Sequence, residues 1–210
     1  MKAKGLICVM LLLCCMTAKA FDFQQNGFYY NILRDGISVE VTFADEMAGS
    51  YTGNIVIPEK VTHNGTTYKV TQIGDAAFFK CSGVSSVTIP NSVKHIGVSA
   101  FFACTGLKSL SLPDGIEHLG QHAFASCSNL ESIKMPRRIK YIWKEIFKGC
   151  SNLSVVTIPS LENFVRFDSK VFDDCRKITK ISVPVGSKER VQKMLPQRLW
   201  NVIVEQRSQK

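Results

Sequence analysis

Four prolines, Pro90, Pro113, Pro136 and Pro159, stand 23 residues apart, and that interval governs most of the chain. Phe78, Phe101, Phe124 and Phe147 keep it, as do Cys81, Cys104, Cys127 and Cys150; one more copy, with Phe172, Cys175 and Pro184, follows after a 25-residue step. A fixed period of a few tens of residues is the signature of a solenoid, in which no single repeat can cover its own apolar residues and stacked neighbours cover them together. The period divides the 210 residues into a leader at 1–20, an N-terminal β cap with a degenerate first repeat and a projecting hairpin at 21–72, five repeats at 73–184, and a C-terminal cap and tail at 185–210.

Aligned, the copies give three apolar columns: Val84, Leu107, Leu130, Leu153 and Ile178; Val87, Leu110, Ile133, Val156 and Ile181; Ile89, Leu112, Met135, Ile158 and Val183. The last two alternate with polar residues, as in a strand with one buried face, and proline closes each strand because it has no N–H for a continuing ladder. Outward positions are Ser86, Ser109, Ser132, Val155 and Lys180, then Thr88, Ser111, Lys134, Thr157 and Ser182. This strip is the predicted binding face, since the extended sheet of a solenoid is where partners are usually received. Gly74, Gly97 and Gly120 mark a bend after the second apolar stretch of each repeat, where the fourth copy has Trp143 and the fifth Asp168. The two extra residues of the fifth copy fall around Ser160 to Asn163 and read as a loop insertion.

Before the repeats, Asp35-Gly36 between two β-rich runs and Asn64-Gly65 within the alternating stretch Val61 to Val70 predict two hairpins. After Pro184, an amphipathic stretch to Leu195 predicts a short helix, and Leu199 to Val204 a closing strand. The leader has Lys2 and Lys4, an apolar run shorter than the about 20 residues a membrane span needs, and an A-x-A ending, which together predict a secretory signal peptide cut after Ala20. Cys14 raises a lipoprotein alternative, disfavoured by the large residues before it. Cutting there removes three lysines and no acid, lowering the formal charge from +9 to +6. An exported chain with diffuse basic charge and no recognition motif does not predict a nucleic-acid partner.

Eight cysteines in an exported chain would ordinarily suggest disulfides. Three leave with the leader, and the remaining five, Cys81, Cys104, Cys127, Cys150 and Cys175, occupy one column, so they read as a ladder of small buried free thiols.

The string Ile96-Gly97-x-x-Ala100-Phe101-x-x-Cys104-x-x-Leu107-x-x-Leu110-x-Leu112-Pro113 resembles the repeat of BspA-like leucine-rich repeat proteins, a 23-residue class common in exported bacterial proteins, and the similarity extends over 73–184. The resemblance implies a right-handed leucine-rich repeat solenoid with a parallel β-sheet on its concave side, capped by a β-hairpin and a short C-terminal segment. It also implies a secreted or cell-surface setting, adhesion in some members, and no catalytic residues.

The residues themselves offer little chemistry. His95 and His118 are equivalent and His122 lies nearby, but no acidic column accompanies them to complete a zinc set. No nucleophile motif, metalloprotease motif or phosphate loop occurs, and no cofactor is expected. Arg137, Arg138, Lys140, Lys144 and Lys148, close to Lys134, form a basic patch suited to phosphate or an acidic glycan, or simply a solvated face. The expected function is a non-enzymatic, exported binding module for a protein or glycan at the cell surface. The alternative is a structural or assembly component of the envelope that binds another exported bacterial protein.

Overall fold

The computed structural model of the protein describes residues 21–44, 49–162 and 166–206; the leader expected at 1–20 lies outside them. Three strands begin the fold: β1 (Phe23–Gln25), β2 (Phe28–Ile32) and β3 (Ser38–Thr42), paired antiparallel in sequence order. Asn26 and Gly27 join the first two with φ of 51° and 79°, the left-handed pair that a tight two-residue hairpin requires. The β2–β3 turn is the one expected at Asp35-Gly36, where the Asp35 carboxylate accepts the amides of Ile37 (3.0 Å) and Ser38 (2.9 Å). Strands β5 (Lys60–His63) and β6 (Thr66–Ile73) form the second expected hairpin, turning at Asn64 (φ 49°) and Gly65 (φ 78°).

Each repeat then supplies one strand to a long sheet. Its order is β16 (Ile203–Glu205), β15 (Lys180–Val183), β13 (Val155–Thr157), β11 (Ser132–Lys134), β9 (Ser109–Ser111), β7 (Val84–Thr88) and β4 (Gly53–Val56), and every neighbouring pair is parallel. The 23-residue period is visible as register: Ser86 faces Ser109, Ser109 faces Ser132 and Ser132 faces Val155. A second, narrower sheet runs along the back, where β3, β6, β8 (His95–Ile96) and β10 (His118–Leu119) are parallel in that order. The pair β12 (Tyr141–Ile142) and β14 (Arg166–Phe167) forms its own two-stranded sheet.

A third set of turn-to-turn bonds holds the segments around the repeated phenylalanines: Phe78 N–H donates to Ala100 O (2.7 Å), Phe101 N–H to Ala123 O (2.7 Å) and Phe124 N–H to Ile146 O (3.0 Å). These segments carry left-handed residues that are not glycine, among them Ser99 (φ 54°), Ala103 (φ 56°), His122 (φ 56°) and Ser126 (φ 61°). Such backbone is costly for an L-residue and persists because bonds from neighbouring turns hold it on both sides.

Inside, the apolar columns are buried as aligned, and the phenylalanine rings stack from turn to turn at 4.8 Å (Phe78–Phe101), 5.4 Å (Phe101–Phe124), 5.6 Å (Phe124–Phe147) and 5.9 Å (Phe147–Phe172). Tyr51 begins this stack at 4.6 Å from Phe78, and its hydroxyl donates to Thr42 O, tying the first strands to the first repeat. At the other end α1 (Lys188–Gln192) is the short helix expected there. The strand expected over Leu199 to Val204 forms only as β16, because Gln197–Val202 makes a 3-10 helix instead. Pro196 starts that helix by accepting Leu199 N–H (2.9 Å), and the Trp200 indole closes on Leu195 O (3.0 Å).

Candidate functional site

The outward strip of the long sheet follows from strand alternation. Ser109, Ser111, Ser132, Lys134 and Lys180 are exposed, Thr88 likewise, and Ser86, Val155 and Thr157 are partly so. Ser182 is buried at 9% exposure, lying between Thr157 and Val204 in register, while Gln206 reaches past the strand end to Ile158 O (3.3 Å). At the other end Asn54 Oδ1 accepts the hydroxyls of Ser85 (2.8 Å) and Ser86 (2.9 Å). Between these ends the strip is mostly small hydroxyls, interrupted by Val155 and by lysines at two positions.

The basic residues separate into two clusters because a turn of the solenoid carries them around different corners. Lys134 and Arg137 follow the long sheet and share Asp114 of the preceding turn, at 3.8 Å and 3.3 Å. Arg137 and Arg138 also line a groove of about 580 Å³ with Arg190, Ser160 and Ser187, and Glu162 on its rim. Arg190 donates to Leu161 O (3.3 Å), so the two-residue insertion forms one wall. Lys144 and Lys148 lie beyond the back strand and meet Glu145, each at 3.7 Å. Lys140 is exposed between the clusters. The His122 imidazole contacts Glu145 at 2.6 Å, and this hydrogen bond, ahead of Lys148 and Lys144, holds the carboxyl below its ordinary range.

The five cysteines are free and buried. Their thiols have an assignment that the sequence did not reveal. Each phenylalanine carbonyl of the stack accepts the N–H of its own turn's cysteine, which leaves a second lone pair. The next turn's thiol takes it: Cys104 to Phe78 O (3.0 Å), Cys127 to Phe101 O (3.1 Å), Cys150 to Phe124 O (3.1 Å) and Cys175 to Phe147 O (2.9 Å). Burial pushes Cys104 above its ordinary range and Cys127 up to about 12, so the donating proton stays on sulfur. The series ends at Arg198, 23 residues after Cys175, whose guanidinium donates to Phe172 O at 2.7 Å.

His95 and His118 stack at 4.8 Å, and burial, then the neighbouring His118, lower the His95 pKa. Among the described residues no group of three or more His, Cys, Asp or Glu is placed to hold a metal ion, and no helix is long and apolar enough to cross a membrane.

The glycines of the back sheet mark close approach. A Cβ at Gly97 would lie 2.5 Å from Asp75 N, and one at Gly120 would lie 2.4 Å from Gly97 C. Their amides bond directly to the preceding turn, Gly74 to Val41 O (2.8 Å), Gly97 to Ile73 O (2.8 Å) and Gly120 to Ile96 O (2.7 Å). Trp143 cannot repeat that approach. Its bond to Leu119 is missing from the series among the described residues, which resumes with Asp168 N–H to Ile142 O at 3.0 Å. The back sheet divides at that step. Trp143 is 54% exposed, stacked at 5.7 Å on Tyr141, which is 41% exposed.

Comparison with known proteins places these features in a family. The family model of the BspA type leucine-rich repeat region matches residues 71–194 in six copies. Similar solved structures include the leucine-rich repeat protein of T. pallidum, with a TM-score of 0.65 and 28% identity over 79% of this chain and 72% of that one. A leucine-rich repeat protein from Bacteroides ovatus gives a TM-score of 0.57 and 27% identity over 78% of this chain and 48% of that one. The pneumococcal vaccine antigen PcpA shares the fold, with a TM-score of 0.59 at 22% identity over 80% of this chain and 51% of that one. Comparison with curated proteins found no match. The repeat match spans more than half of the residues, and the parallel sheets, stacked phenylalanines and 23-residue register agree with it: the chain belongs to the BspA-type leucine-rich repeat family.

Proposed function

We propose that the protein is an exported, non-enzymatic binding module that presents the long sheet to a protein or glycan at the cell surface. The observation that carries this reading is the outward strip from Ser86 to Lys180, which stays in parallel register across five consecutive strands. Its small hydroxyl groups let a partner approach the sheet closely, and the lysines at its edge add positive charge. The groove at Arg137, Arg138 and Arg190 suits an acidic group on the same partner, where arginine can make paired hydrogen bonds to a carboxylate or phosphate. Export rests on the leader sequence, and the non-enzymatic reading on the absence of a catalytic motif.

The test is a partner screen with protein lacking residues 1–20, against matrix proteins, a glycan array and envelope extracts of the producing cell. Saturable binding that is lost in the double variant Ser109→Arg/Ser132→Arg, with unfolding midpoints unchanged, supports the reading. Binding that ignores the strip, or none on any surface, overturns it. Capture only of an envelope protein from the producing cell would instead favour an assembly role.

A further inference from the structure

The back sheet carries a feature that its packing does not require. At Gly97 and Gly120 its glycine column admits backbone only, yet the fourth turn places Trp143 there and the fifth Asp168, which keeps the backbone bond. Trp143 divides the sheet and forgoes a turn-to-turn hydrogen bond, while more than half of the side chain stays in water. Burial of the indole therefore does not explain its presence in the column.

We propose that Tyr141, Trp143 and Asp168 form a shelf for a neutral pyranose unit of a glycan. The two rings stack 5.7 Å apart with 26° between their planes, and the half-exposed indole leaves apolar surface open to solvent. The C–H face of a pyranose carries slight positive charge and fits the negative face of such rings, much as aromatic edges do. Asp168 supplies the polar complement. Its Oδ1 accepts Lys170 N–H at 2.9 Å, which fixes the orientation of the carboxylate. A carboxylate has about four acceptor positions, so others remain to receive sugar hydroxyls. Tyr141, Ile142, Trp143 and Asp168 enclose a shallow space of about 140 Å³, which seats one sugar ring against a wall without engulfing a chain. Asp168 is the one charged residue among the four that enclose the space, and its negative charge there disfavours a sialic or uronic acid, while nearby Lys144 is turned to Glu145 (3.7 Å). The shelf lies on a different sheet from the strip proposed above, and neither reading depends on the other.

The experiment uses the two-tryptophan composition. In a Trp200→Phe background Trp143 is the sole indole emitter, and titration with the tetrasaccharides of glucose, mannose and N-acetylglucosamine, plus a sialylated tetrasaccharide, reads the shelf directly. Saturation-transfer NMR on the unmodified protein gives a second readout. A saturable change with at least one neutral tetrasaccharide is expected. By NMR, affinity should fall by about tenfold in Trp143→Ala, which removes the aromatic anchor, and should fall in Asp168→Asn, which removes the charge and one of the two acceptor oxygens. Ser109→Arg/Ser132→Arg on the long sheet should leave it unchanged. Absence of saturation with all neutral sugars, unaltered affinity in Trp143→Ala, or preference for the sialylated sugar would each overturn the proposal.

Discussion

At Gly120 a Cβ would lie 2.4 Å from the backbone of the preceding turn; one repeat later the equivalent position holds an indole. The same exchange occurs at another corner. A Cβ at Gly106 would come within 2.3 Å of Ser82 O, whereas the following equivalents are Asn129, Asn152 and Lys177. There the side chains make the ladder themselves: Asn129 to Thr105 O (2.8 Å), Asn152 to Asn129 Oδ1 (3.2 Å) and Lys177 to Asn152 Oδ1 (2.7 Å). One repeat thus stacks in two ways. In these two columns the earlier turns meet backbone to backbone and the later turns carry side chains, while backbone bonds between turns continue beside them, as from Asp168 N–H to Ile142 O (3.0 Å) and Asn152 N–H to Ser128 O (3.2 Å). Exchanging the residues at the division should expose the difference most strongly. Gly120→Trp forces an indole into a space that has none, and overpacking of this kind should cost about 3 kcal/mol, read as a lower urea midpoint. The reverse change, Trp143→Gly, removes an exposed side chain and should stay within about 1 kcal/mol of the parent, with new hydrogen-exchange protection at residue 143 as the back sheet joins.

How much of this was legible beforehand varies with how local the cause is. The hairpins at Asp35-Gly36 and Asn64-Gly65 are set by the turn residues alone, and the strand columns by alternation within seven residues of one another. The division of the back sheet was only half visible. Trp143 stood out as a missing glycine, but the reason for glycine there is the backbone of another turn. The left-handed Ser99 and Ala103 gave no signal, since their conformation is held by bonds to Gln121 and Ala125 rather than by their own type. Strand β1 was missed for want of alternation over three residues. The basic residues looked like one patch because they are near in sequence, whereas Arg137 and Lys144 flank opposite ends of a back strand.

If the later turns depend on side chains, their end should be the more fragile. Arg198 occupies the cysteine column and supplies Phe172 O with the donor that a further thiol would have given. Arg198→Ala leaves that carbonyl without its second partner and should cost about 1–3 kcal/mol, with hydrogen exchange rising first in the last strand. Arg198→Lys should recover part of the loss, since an ammonium can reach one carbonyl but not splay between Phe172 O and Cys175 O.

The cysteine ladder crosses the division unchanged, so it serves as the control. Cys104→Ala in the earlier half and Cys150→Ala in the later half each remove a thiol donor and a buried sulfur, and each should cost about 1–2 kcal/mol. Equal losses would confine the difference between the halves to the glycine columns; a larger loss at Cys150 would show that the later turns are less well supported throughout. Cys104 and Cys150 should resist labelling in the native protein near neutral pH, because both are buried and both are held above the ordinary thiol range.

The smallest effect sits at the division itself, where His122 of the last tight turn meets Glu145 of the first open one. The carboxyl is held below its ordinary range chiefly by the His122 hydrogen bond, so its folded-state pKa lies under the unfolded value of about 4.3. A depressed acid contributes stability that is present above the unfolded pKa and lost as pH falls through the folded one. The protein should therefore lose a small increment of stability below about pH 4.3, measured as the difference in urea midpoint from Glu145→Gln across that range. The increment should shrink in high salt, since the flanking Lys144 is exposed and Lys148 partly so. Identical acid profiles for the parent and the variant would show that the contact joins the two halves in space without holding them together.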